Sequence, residues 1–190
     1  MVYAIEEPVY SVLESNDRFE VRDYQPIIMV EVVVDASFEA AGNQAFGKLF
    51  RYISGANIGK DEVVATGATS STQDEGVKIE MTAPVVQRPV GSDSYVLGFV
   101  LPARFSSLED TPVPTDPDVS LRYVPARVVA VTRYSGTWSE DNYRAHETRL
   151  LKALEGSDWR PIGEPVYARY NSPYSLWFLR RNEVMIELSG

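Results

Sequence analysis

Two segments of the chain, RDYQPIIMVEV at 22–32 and RYVPARVVAVT at 122–132, share a proline-broken hairpin followed by a valine-rich strand. Proline has no amide hydrogen to give to a sheet, so each one marks a turn between two strands. The surroundings of the two segments repeat as well. Residues 19–24 and 27–34 read as a strand pair, and Asp35 or Ser37 caps a helix that runs to about Ile53. Along that helix Phe38, Ala41, Ala45, Leu49 and Tyr52 recur at helical spacing, and Gly55 stops it. Strands at 77–87 and 94–101 complete the first half.

The second half has the same order. Strands are expected at 119–123 and 126–134, a helix from about Ser139 to Leu154, and strands near 164–170 and 177–188. Thr137 and Glu140 have capping-box spacing, Tyr143, Leu150, Leu151 and Leu154 supply an apolar stripe, and Gly156 ends the helix. The chain is therefore expected to be one α+β domain over 1–190, with duplicated ββαββ-type halves at about 18–105 and 118–190. The Pro-rich stretch 106–117 reads as a rigid exposed connector. Eight strands offer more face than two helices cover. Strand 27–34 is apolar on both sides, with Ile28, Val30, Val32 and Val34 on one and Ile27, Met29 and Val33 on the other. Either the halves bury that second face on each other, or an apolar cleft stays open between them. The Gly-, Ser- and Thr-rich stretch 54–76 reads as a lid or a tolerated insertion.

Composition removes several kinds of chemistry. With 190 residues the chain is long enough to bury about 70% of its unfolded surface. It has no cysteine and one histidine, His146, which excludes disulfides, thiolate metal sites and any site needing two imidazoles. A net charge of −9 argues against nucleic acid or an anionic bilayer as partner. No run of 18 apolar residues and no basic leader occurs, so no membrane span and a cytoplasmic location are expected. Of the 18 basic residues only Lys48, Lys60, Lys78 and Lys152 are lysines, and arginine suits bidentate carboxylate contacts.

Three sets of residues invite a chemical reading. His146 borders the apolar face of the second helix, as an axial haem ligand, a base or a packed histidine. Glu80, Glu183 and Glu187 lie on expected strands, as acids of raised pKa or as partners of Arg180 and Arg181. On the first helix Asn43, Phe46, Phe50 and Arg51 share a sector, with Gly47 leaving backbone accessible between two aromatics. That sector suits a flat carboxylated ligand, or else is core with a snorkelling arginine. Neither a serine elbow, a P-loop nor a G-x-G-x-x-G fingerprint is present, and no nucleophile, base and orienter stand at recognisable spacing, so no enzyme activity is expected.

From EEPVYSVL and FEVRDY through YISGAN, IEMTAPVV, LRYVPARVVAVTRYSG and ARYNSP to FLRRNEVMIEL, the chain resembles the SOUL/HEBP haem-binding family over its full length. The resemblance implies antiparallel sheets forming a distorted barrel flanked by two helices, related to the effector-binding domains of bacterial regulators. It implies reversible, non-covalent binding of haem or another tetrapyrrole, for sequestration or transport. The matching site falls on Asn43, Phe46, Phe50 and Arg51, with Leu176 near the C-terminal loop. Asn43 replaces an arginine of the animal pattern. Asp23 stands where another member places an axial histidine, so strong axial coordination by histidine is not expected, and Tyr52, Met29, Met81 and His146 are the remaining ligand candidates. A sensor module for a different amphipathic small molecule, held between the halves, is the alternative. An enzyme with Glu80 or Glu183 as base ranks below both.

Overall fold

The computed structural model describes residues 5–59 and 76–189. Most of the stretch 54–76 therefore lies outside the described residues. The main elements are β1 (Tyr10–Ser15), β2 (Glu20–Tyr24), β3 (Ile27–Asp35), α1 (Phe38–Ile53), β4 (Asn57–Ile58), β5 (Val85–Val90) and β6 (Ser94–Val100). They continue with β7 (Val113–Pro114), β8 (Val119–Val124), β9 (Arg127–Tyr134), α2 (Glu140–Leu154), β10 (Arg160–Arg169) and β11 (Asn182–Ser189). Nine strands form one antiparallel half-barrel sheet in the order β1-β2-β9-β11-β10-β5-β6-β3-β8, and β4 pairs with β7.

That order explains why the prolines matter. Pro26 and Pro125 do not close simple hairpins. Each lets the chain leave one neighbourhood of the sheet for another, so that β2 pairs with β9 (Val21 opposite Ala130) and β8 pairs with β3 (Leu121 opposite Val30). Apart from β1, the strand order reads the same from either end when β2 is exchanged with β8, β3 with β9, β5 with β10 and β6 with β11.

Helix α1 forms where its period indicates. The side-chain oxygen of Ser37 accepts from the Ala40 amide, and Gly55 leaves the helix at a φ of +118°. Phe38, Ala41, Ala45, Leu49 and Tyr52 are all buried against the sheet. On α2, Tyr143, Leu150 and Leu154 are buried but Leu151 is exposed. The expected capping box is absent. Ser139 is the N-cap, the Thr137 and Ser139 hydroxyls meet each other, and the Glu140 amide donates to the Glu39 carboxylate at 3.0 Å. A side chain of one helix thus caps the other.

Several boundaries differ from expectation. Residues 77–84 are not a strand, because their backbone partners are scattered: Ile79 donates to the Ile53 carbonyl and Ala83 to that of Glu6. The ladder begins at Val85, just beyond the cis Ala83–Pro84 bond. Residues 177–179 are an exposed 3-10 turn, and the last strand starts at Asn182. The Pro-rich connector is not free either. It lies against α1, with Thr111 buried and the Pro112 carbonyl accepting from the Tyr52 hydroxyl at 2.8 Å.

The sheet's two faces have different fates. One packs on both helices in a core that includes Ile28, Val30, Leu97, Tyr167 and Val184. The other carries a smaller cluster around Tyr24, Met29, Val129 and Met185, and beside it an open cavity of about 350 Å³. Ile27 and Met29 of the two-faced strand 27–34 line it. Next to it Arg22, 3% exposed, donates to the fully buried Glu183 at 3.0 Å, and Arg181 and the Tyr170 hydroxyl also donate to that carboxylate. Burial pulls the Arg22 guanidinium down, but Glu183 and Tyr24 outweigh it and leave its pKa above the ordinary value.

Removing one partner of such a pair leaves a buried charge uncompensated. Urea denaturation of Glu183→Gln should show a loss of about 3 kcal/mol relative to the parent chain. Burial also raises the ionisation of Tyr24 to about 12, and shifts Tyr52, Tyr134, Tyr167 and Tyr170 upward. A raised folded pKa contributes stability that is complete below the unfolded value, about 10 for tyrosine. It is lost as pH climbs through the folded value. Urea midpoints should therefore be unaffected by tyrosine ionisation up to about pH 9 and fall steeply between about pH 10 and 12.

Candidate functional site

On the helix side, a second cavity of about 640 Å³ opens between α1, the start of β5 and the loop that follows β10. Spacing on α1 builds one wall: Glu39, Gly42, Asn43 and Phe46 stand at three- and four-residue intervals on one face. Met81, Thr82, Ala83 and Val85 supply the floor, while Asn171, Ser172 and Pro173 form the rim. Trp138, Arg169 and Arg180 close the remaining side.

The aromatic sector of α1 continues outward from this groove. Phe46 packs edge-on to Phe99 at 5.5 Å and stacks on Phe50 at 5.9 Å, yet the two are 41% and 50% exposed. Two stacked, half-exposed phenylalanines form an apolar ledge. Gly47 sits beside it with open space where a Cβ would stand. Arg51, at the far end, lies 3.3 Å from Asp116 with its side chain 64% exposed. Leu176 begins the 3-10 turn after β10, where Trp177, Phe178 and Leu179 are exposed too. The structure thus places Asn43 and Phe46 in the groove and Gly47, Phe50 and Arg51 further along the helix, while Leu176 lies in the loop that carries the rim.

Three groove residues were not read as part of a site: Arg169 and Trp138 were not singled out, and Arg180 was expected to pair with a carboxylate, whereas Glu80, Glu183 and Glu187 are paired with other arginines. Arg169 donates to Gln87 at 2.6 Å, its Nε is buried without a hydrogen-bond partner, and its guanidinium lies 5.3 Å from the Trp138 ring. Gly42 permits this, since a Cβ there would stand 2.9 Å from Arg169 Nη1. Arg180 lies 4.2 Å over the same Trp138 ring, and among the described residues its side chain donates to the carbonyls of Pro173 and Ser175 alone. Trp138 is itself fixed by its Nε1–H, which donates to the buried Asn182 at 2.8 Å. Among the described residues neither Arg169 nor Arg180 has a carboxylate partner. The Arg pair and the tryptophan come from three separate elements, so no local pattern announced them.

The iron-ligand candidates are dispersed. Met81 lines the groove and is 38% exposed. Tyr52 is buried and its hydroxyl is engaged, and Met29 is on the opposite face of the sheet. His146 stacks on Tyr134 at 3.7 Å, and its Nδ1–H donates to the Asn142 carbonyl at 2.7 Å, away from the groove. Asp23 in β2 does not line it either. Of the acids considered as bases, Glu183 is held by Arg22 and Arg181, and Glu80 is exposed and paired with Arg104. Among the described residues no three metal-ligating acids or imidazoles converge, and no helix is long and apolar enough to cross a membrane.

The chain is thus an α+β half-barrel with two helices and an aromatic groove along the first. The chain belongs to the SOUL heme-binding protein family, whose model matches residues 5–187. It is 27% identical to heme-binding protein 1 of Mus musculus over 160 residues, 81% of this chain and 75% of the mouse protein. The EcmrR C-terminal domain has a similar fold, with a TM-score of 0.61 at 8% identity over 95% of this chain and 98% of that one. A hydrolase from Listeria innocua is similar with a TM-score of 0.58 at 10% identity, over 93% and 94%.

The Glu39 carboxylate joins the two helices at the mouth of the groove. Glu39→Ala should lower stability by about 1 kcal/mol in thermal or urea unfolding, the usual worth of an N-cap acceptor.

Proposed function

We propose that this protein binds haem or a related tetrapyrrole reversibly in the groove beside α1 and acts as a cytoplasmic carrier or sequestering module, not as a catalyst. Family membership and the similarity to mouse heme-binding protein 1 support the ligand class. The observation that carries the site is the ledge of Phe46 and Phe50 leading to two arginines without carboxylate partners. Haem supplies a flat apolar macrocycle and two propionates. Phe46 and Phe50 offer it a face, Gly47 keeps the helix backbone from obstructing it, and Asn43 gives a polar contact at the mouth. Leu176 and its neighbours cover it from the loop.

For the propionates, Arg169 and Arg180 are better placed than Arg51. Trp138 holds both guanidiniums, and Arg169 has an unused buried donor. Arg51 is solvated and already beside Asp116, and an exposed pair of that kind contributes little. Met81 is the one ligand candidate that lines the groove, so the macrocycle's faces and propionates carry most of the affinity.

Hemin titration should give a saturable Soret shift. Phe46→Ala and Arg180→Ala should each weaken binding about tenfold, the loss expected for one ring contact or one charge-assisted bond. Arg51→Ala should change it less than about threefold. An unchanged spectrum with the parent chain overturns the proposal, and a larger loss in Arg51→Ala than in Arg180→Ala reverses the orientation.

A further inference from the structure

The 350 Å³ cavity on the other face of the sheet has a composition of its own. Its wall is apolar, built from Ile27, Met29, Val86, Val100, Val129 and Met185. Into it come three arginines, Arg88, Arg122 and Arg127, although the protein as a whole carries nine more acids than bases. Their hydrogen-bonded counter-ions are fewer. Arg122 Nη2 donates to buried Glu31 at 2.6 Å, and Arg88 shares the same carboxylate at 3.4 Å. Among the described residues Arg127, with its side chain 20% exposed, has only Glu187 as an ion-pair partner, 3.8 Å away and beyond hydrogen-bond reach. Glu31 thus accepts hydrogen bonds from two of the three guanidiniums, while among the described residues Arg127 has no hydrogen-bonded carboxylate.

The rim supports a binding role as well. Between Ile162 and Val166 strand β10 bulges away from its partner, with Gly163 at a φ of +72°. A side chain with that φ is strained, so glycine lets the chain fold over the cavity mouth. Glu164 on the bulge also lines the cavity, but it is exposed and pairs with none of the three arginines. A half-buried guanidinium without a hydrogen-bonded acceptor costs stability, and an arriving carboxylate removes that cost. Burial pulls the Arg127 pKa below its ordinary value, as a poorly compensated cation requires.

We infer that this cavity is a second binding site, for a small single-chain amphipathic carboxylate, with Arg127 receiving the head group and Met29, Val86, Val129 and Met185 the apolar body. A cavity of this size with a few convergent polar groups is typical of small-ligand sites. The inference does not rest on haem binding, since the two cavities lie on opposite faces of the sheet.

Methionine methyl groups separate the two sites experimentally. Of the four methionines, Met29 and Met185 line this cavity and Met81 lines the groove. With methyl-labelled methionine, titration with decanoate should move the Met29 and Met185 resonances saturably and leave Met81 in place. Gallium protoporphyrin should do the reverse. Decyltrimethylammonium should bind at least about tenfold more weakly than decanoate, as should decanoate to Arg127→Gln, each having lost the charge-assisted pair. Retention of the fold in that variant is read from its methyl spectrum, and the comparison of anion with cation on the parent chain needs no variant. Equal binding of the cation, no response at Met29 and Met185, or a decanoate response at Met81 instead overturns the inference. Loss of the porphyrin response alone would count only against the haem reading.

Discussion

The pairing of β2 with β9 and of β8 with β3 is the constraint on which the rest depends. Each of these strands leaves the element that precedes or follows it in sequence and hydrogen-bonds in the other half. Neither half has a complete sheet without the strand it receives, so the core under α1 and the core under α2 form together. Arg22 on β2 and Glu183 on β11 reinforce the crossing with a charge pair that only the assembled sheet can shield from water.

One continuous sheet with two helices must leave a face without a helix, and that geometry creates both cavities. On the helix side, the groove exists because α1 covers β3, β6 and β8 while α2 covers β9, β10 and β11. On the opposite side the half-barrel remains open, and its apolar lining is interrupted by three arginines. The first cavity is the one we propose for the tetrapyrrole. The second follows from the same topology but carries a different chemistry.

Much of this was legible in the chain. The stripe Phe38, Ala41, Ala45, Leu49 and Tyr52 is buried as its 3.6-residue period requires. The two apolar faces of strand 27–34 were legible, though not whether the second would be covered; its Ile27 and Met29 line the cavity opposite the helices. Strand β1 went unread because it is an edge strand, mostly exposed, and so lacks an alternation driven by a core. Residues 77–84 mimicked a strand because Ile79 and Ala83 are buried, yet their amides bond to the end of α1 and to the N-terminal segment. Trp177, Phe178 and Leu179 had strand composition but are exposed in a turn. The cage of Trp138, Arg169 and Arg180 is a tertiary meeting of distant residues, and periodicity carries no information about such meetings. Phe46 and Phe50 were legible as a sector, while their exposure was not.

Strand β5 is a partition one backbone thick. Val85 borders the groove, and the next residue, Val86, borders the opposite cavity, because successive strand side chains point to opposite faces. Tyr170 touches both. Odd and even positions along this strand therefore face different cavities. Substitutions can reshape one cavity through one parity of position and spare the other, so a lineage is free to retune the two recognition surfaces at separate rates, with Tyr170 as the residue at which they cannot be separated.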